Sequence, residues 1–186
     1  RAVQTAPFTP YLPGIEAEMG IAATYFIQVE SLFYNPFTSA SVPIVERLLT
    51  QRHRLGLHFD CAPDGKEIPV SLLPVRLERA MTCLRAYFGA VDAVSFHQPS
   101  PAVVSNQVKI PYVNTYDRDD MRGVEYLSDS CQTWAVGDPL AGLGTHKQAS
   151  VQMLIHPALW GSTPTAFDVL SRNCILAKAQ TLYDYT

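Results

Sequence analysis

Four short apolar runs in this chain finish on a histidine or an aspartate, and that repeated ending constrains the fold more than any total does. They are Leu57-His58-Phe59-Asp60, Ser95-Phe96-His97, Leu127-Ser128-Asp129-Ser130 and Leu154-Ile155-His156. Runs of this length, bounded by turn residues, read as strands. The last one, Val151 to Ile155, reads as a buried strand that Pro157 must stop, leaving His156 at its tip. Further strands are expected over Ile21–Val29, near Tyr112-Val113 and over Val124–Leu127. Helical patterns fall between them. Residues 12–20 end a helix at Gly20, and Val42–Gln51 carries Pro43 in its first turn. The longest helix, 71–88, places Leu73, Leu77, Ala80, Met81, Leu84 and Phe88 at three- and four-residue steps, with Arg76, Arg79 and Arg85 mainly off that stripe. A final helix, capped at Thr163-Pro164 and running to about Tyr183, turns Phe167, Leu170, Cys174 and Ala177 inward. Strand and helix alternate, which predicts parallel β/α units within one domain over 1–186. In such sheets functional groups collect at the carboxyl ends of the strands, so the four polar endings are expected to face one mouth.

The totals narrow the function classes. With 186 residues, a net charge of −3 and no basic block, the chain lacks the footprint of a nucleic-acid binder. No apolar run approaches the ~18 residues of a membrane span, and no secretory signal pattern is visible. Cys61, Cys83, Cys131 and Cys174 form no Cys-x-x-Cys pair, which argues against a zinc knuckle, and Cys83 and Cys174 lie on apolar helix faces, so reduced, structural thiols in a cytoplasmic setting are expected. No Gly-x-Ser-x-Gly, His-Glu-x-x-His or phosphate-loop pattern occurs. His53 and His146 are expected at the surface, and Asp117, Asp119 and Asp120 with Arg118 and Arg122 in a solvated loop. The loop after the Ile21–Val29 strand carries Phe33-Tyr34-Asn35-Pro36-Phe37, an aromatic group that makes Tyr34 and Asn35 candidates for substrate contact.

Histidine and aspartate at strand ends are the side chains that bind divalent ions and move protons near neutral pH. Their order here resembles the polysaccharide deacetylase superfamily (NodB-homology, carbohydrate esterase family 4), in the divergent branch associated with lipopolysaccharide and surface-polysaccharide biosynthesis. GIAATYFI (20–27) is similar to the family's second strand and RHRLGLHFD (52–60) to its metal-binding histidine segment. VSFHQPSP (94–101), YLSDSCQTW (126–134) and MLIHPALW (153–160) follow in the order of its third, fourth and fifth motifs. The resemblance implies an α/β fold, a distorted (β/α)7 barrel whose first strand is missing or degenerate. It implies metal-dependent hydrolysis of an N- or O-acyl group, such as acetyl, from a sugar or polysaccharide precursor, with zinc as the expected ion. Carried over by position, His58 is a metal ligand and His156 the general acid, with Asp129 orienting a neighbouring catalytic group. Leu154, Trp134 and Trp160 wall the acyl pocket. His97 stands where better-known members have an arginine and becomes a second metal ligand.

Two departures matter. The family's second metal histidine falls here at Ala62, so Asp60 is the substitute ligand, and no aspartate precedes Asp60. Catalytic zinc sites use three protein ligands. A second reading therefore stands beside the hydrolase: a catalytically inactive, carbohydrate-binding relative with the same fold.

Overall fold

The computed structural model describes residues 12–130, 133–134, 137–139, 150–156, 159 and 166–185. The chain divides into two compact units, Tyr11–Arg122 and Gly123–Thr186.

The first unit is organised by α3 (Leu73–Phe88), where the sequence periodicity and the core coincide: Leu73, Leu77, Met81, Leu84 and Phe88 are all buried. Pro74 in the first turn and a positive-φ Gly89 bound the helix. Cys83 is exposed, because position 83 falls between the stripe residues Met81 and Leu84 and off their face. α3 packs on a four-stranded parallel sheet ordered β1 (Thr24–Ile27), β2 (Arg54–Asp60), β3 (Val91–His97) and β4 (Val113–Asn114). α1 (Leu12–Glu18) precedes β1, α2 (Val42–Thr50) links β1 to β2, and a short α4 (Pro101–Val104), not visible in the hydrophobic pattern, follows β3. Each connection steps the same way across the sheet. Right-handed crossovers then put α2 and α3 on one face, where Tyr25, Ile27, Leu55, Leu57, Phe59, Val94 and Phe96 are buried.

β1 is shorter than its apolar run predicts. The Ala23 N–H is taken by His53 Nδ1 at 3.2 Å instead of continuing into the strand. His53, expected at the surface, is buried: its Nε2 meets the Pro13 carbonyl at 3.1 Å and its ring lies edge-on to Tyr25. Glu16 accepts the Tyr25 hydroxyl proton at 2.5 Å, and burial together with that carboxylate raises the Tyr25 pKa. The expected solvated loop is also partly wrong. Asp117 is buried against Lys109 Nζ at 2.8 Å, while Asp119 and Asp120 are exposed. Across the sheet, a Cβ at Gly56 would meet the Phe26 ring at 2.5 Å and the Ala93 carbonyl at 3.2 Å, so glycine is there for close approach.

In the second unit β5 (Val124–Ser128) and β6 (Ser150–Leu154) pair in parallel, and α5 (Phe167–Tyr185) closes the chain. The apolar run of β6 predicts a buried strand, but Val151 and Met153 are 36% and 41% exposed, since β5 is the strand's one partner among the described residues. In α5, Leu170, Cys174 and Ala177 share a half-buried stripe as the pattern predicts; Cys131, His146 and the Thr163-Pro164 cap lie outside the described residues. The described strands form these two parallel sheets and no closed barrel. Among the described residues no helix is long and apolar enough to cross a membrane.

Candidate functional site

In the first unit the face of the sheet opposite α3 carries the polar residues. The register of β2 and β3 slips by one at Leu55/Gly56, with Asp92 as the extra residue. Beyond that bulge His58 pairs with Ser95 and Asp60 with His97, so His58, Asp60 and His97 project from one side. The His58 and His97 rings meet edge to face with centroids 5.4 Å apart. Asp60 Oδ1 accepts the Ala62 N–H at 2.8 Å, a turn that closes the strand, and Asp60 Oδ2 accepts Gln28 Nε2 at 3.3 Å. A positive φ at Gln98 turns the chain immediately after His97.

The ring spacing suits two imidazoles on one ion: tetrahedral coordination at ~2.0–2.1 Å would place two ring centres about 5 Å apart. A third donor is not in place. Each Asp60 carboxylate oxygen accepts one hydrogen bond and keeps a lone pair, but among the described residues no three His, Cys, Asp or Glu side chains are grouped to hold a metal ion. The donors present do not amount to a catalytic zinc site.

In the second unit the ends of β5 and β6 build a tighter arrangement. Asp129, just past β5, is buried, and its backbone N–H donates to the Leu154 carbonyl at 3.3 Å, which extends the pairing of the two strands. Its carboxylate accepts the backbone N–H of His156 at 3.1 and 2.9 Å and meets His156 Nδ1 at 2.6 Å. An ionised carboxylate only accepts, so Nδ1 carries the proton and Nε2 is the nitrogen left for chemistry. The His156 side chain is 44% exposed against 6% for Asp129, so the ring is anchored at one edge and partly open to solvent. Such a pair can hold an imidazolium in a fixed orientation and pass a proton at Nε2. Ser128 and Ser130 bond each other through their hydroxyls at 2.6 Å beside it.

The remaining candidates are placed as follows. Leu154 ends β6 half-buried, and Trp134 is half-buried with its carbonyl accepting the Gly137 N–H at 3.0 Å. Trp160 lies outside the described residues. Tyr34 is not a free aromatic surface: its hydroxyl accepts the Gln28 backbone N–H at 2.9 Å, and burial pushes its pKa up to about 12. Asn35 is exposed and closes its own turn by accepting the Phe37 N–H at 2.9 Å. Phe37 in turn lies tilted against Tyr87 and stacks on Phe88 of α3. Sequence reasoning missed Gln28. The signal was present, because Gln28 directly follows the apolar run Tyr25-Phe26-Ile27 just as the four histidine and aspartate endings follow theirs.

The parallel sheet with helices on one face, and polar groups at the carboxyl ends of its strands, define an α/β protein. No family model matches the chain, and no curated protein matches it. Among solved structures it is similar to the crystal structure of the Xyl-CE4 domain of a multidomain xylanase from the hindgut metagenome of Trinervitermes trinervoides. The TM-score is 0.53 at 13% identity, over 97% of this chain and 80% of that one. At that identity the likeness defines the fold, an α/β fold of the type found in that CE4 domain.

Proposed function

We propose that this chain is a hydrolase that removes an N- or O-acyl group from a carbohydrate, a divergent relative of the polysaccharide deacetylases. The observation that carries the reading is His156 anchored through Nδ1 and its own backbone N–H to buried Asp129, on a fold similar to a CE4 domain. His156 Nε2, the proton being held on Nδ1, takes a proton from the water that attacks the acyl carbonyl and passes it to the departing amine or alkoxide as the C–N or C–O bond breaks. The products are the free sugar group and the carboxylic acid. Asp129 stays ionised and stabilises the imidazolium before that transfer. The finer reading, a precursor of surface polysaccharide, rests on the motif resemblance in 20–160, and a cytoplasmic setting on the expectation of reduced thiols. The divalent ion, which His58 and His97 with Asp60 would hold and which would polarise the acyl carbonyl, rests on that resemblance as well.

The incomplete donor set favours one alternative, a carbohydrate-binding relative without turnover. Acetate release from acetylated xylo-oligosaccharides and from N-acetylglucosamine oligomers, with and without added Zn²⁺, separates the two. The hydrolase reading expects release that falls ~10²–10⁴-fold in His156→Ala while the melting temperature holds. Binding of these oligosaccharides with no acetate released would overturn it in favour of the alternative.

A further inference from the structure

His53 is a buried titratable side chain that the proposed chemistry does not use. Its side chain is fully enclosed, and it ties together separate parts of the first unit. Nε2 meets the Pro13 carbonyl of α1 at 3.1 Å, and Nδ1 accepts the Ala23 N–H, just before β1, at 3.2 Å. A carbonyl only accepts, so Nε2 carries a proton; an N–H only donates, so Nδ1 carries none. The ring is therefore the neutral Nε2–H tautomer. Two titratable groups face it. Glu16 of α1 places Oε2 3.9 Å from Nδ1, and Tyr25 of β1 lies edge-on, its hydroxyl donating to that same Oε2 at 2.5 Å. Burial and then Glu16 raise the Tyr25 pKa, so that hydroxyl stays a donor across the neutral range. The adjoining Arg52 and Arg54 are exposed.

We propose that His53 Nδ1 is a proton-operated contact that fixes or frees the corner between α1 and β1. With Nδ1 bare, Ala23 is held on both sides. Its N–H is on the ring and its carbonyl accepts the Arg54 N–H at 2.8 Å, which seats the start of β1 beside β2. A proton on Nδ1 sets two donors against each other, and the Ala23 N–H must leave. The new N–H has an acceptor close by, since an approach of about 1 Å brings Glu16 Oε2 within range of a charge-assisted hydrogen bond. Nε2 remains a donor to Pro13 in both states. Acid thus transfers the ring wholly to α1 and releases residue 23. The Ala23 bond is present above the ordinary histidine range, near about pH 6.5, and lost below it. The inference is independent of the hydrolase reading.

Imidazole ¹⁵N shifts and amide hydrogen exchange of the full chain read both halves of this contact, from about pH 8 to about pH 5. Nδ1 of His53 is expected to take up a proton in that span. Over the same step Ala23 exchange, corrected for the intrinsic effect of pH, should accelerate about tenfold or more while the amides of α3 keep their protection. His53→Gln, which does not titrate, should show no step at Ala23. Glu16→Gln, which removes the counter-charge, should need a lower pH for both changes. Ring protonation without loss of Ala23 protection overturns the proposal, and so does equal acceleration in His53→Gln or throughout α3. A ring that stays neutral down to about pH 5 overturns it as well. An unshifted step in Glu16→Gln overturns the role given to that carboxylate. If His53→Gln does not fold, the parent and Glu16→Gln carry the same comparison, with α3 as the control for global opening.

Discussion

Replacing Asp129 by asparagine tests the chemistry assigned to His156 with almost no change in shape. Asparagine keeps one carbonyl oxygen, which can still accept the His156 backbone N–H, but its second terminus is an NH₂ donor. That donor would face Nδ1, now 2.6 Å from a carboxylate oxygen. Two donors cannot pair, so the neutral ring must shift its proton from Nδ1 to Nε2, and the imidazolium loses its counter-charge. A hydrogen bond to a charged group contributes about 1.5–3 kcal/mol, and each ~1.4 kcal/mol of barrier is a factor of ten in rate. The lost bond alone therefore predicts roughly a 10- to 150-fold fall in kcat, and the wrong tautomer takes it towards ~10⁴. Two assays check this. Acetate release gives kcat, and imidazole ¹⁵N chemical shifts give the tautomer without any substrate. The reasoning is refuted if Asp129→Asn leaves the proton on Nδ1, or if it moves the proton and kcat stays within about threefold of the parent.

Further outcomes follow from the first unit. His53→Ala should destabilise it by about 1–3 kcal/mol for each of the two groups left unpaired, the Ala23 N–H and the Pro13 carbonyl. His53→Gln, which offers one acceptor and one donor, should recover part of that loss in denaturant midpoint; equal losses would show that the ring packing against Tyr25 matters instead. The Lys109–Asp117 pair predicts a pH dependence. The bond from Lys109 holds the Asp117 carboxyl below its ordinary range, and the bond to Asp117 raises the Lys109 ammonium. Asp117 thus contributes stability above about pH 4 that is lost as pH falls, and Lys109 contributes stability below about pH 10 that is lost as pH rises. The melting-temperature difference between the parent and Lys109→Met should be largest between those limits and shrink at both ends; a difference that does not vary with pH would deny the pair any role.

Much of the fold was legible in the sequence where one force dominated. The stripe of α3 and the alternation of β2 and β3 are burial patterns, and burial followed them. What the sequence hid was register and polar pairing. Nothing in Val91-Asp92-Ala93 announces a bulge, yet that extra residue is what aligns His97 with Asp60. His53 follows the polar end of α2 and reads as a surface residue, because the Pro13 carbonyl and Ala23 N–H that bury it are backbone groups far away in the chain. Val151 and Met153 failed for the opposite reason: apolar composition gives a strand its propensity but supplies no partner to cover it. The candidate site was legible as a set of strand ends, but the Gln28–Asp60 bond depends on which strands are neighbours, which composition and periodicity do not encode.

The Phe26 ring lying on Gly56 has a consequence for how this chain can change over time. The two positions, thirty residues apart, occupy one shared volume, so neither is free to drift alone. A side chain can be acquired at 56 where the ring at 26 has first become smaller, and a lineage crossing in the other order passes through a clash beneath His58. Among descendants of such a chain, the two sites should exchange bulk as a pair, leaving a correlated trace in positions that look independent when each is read by itself.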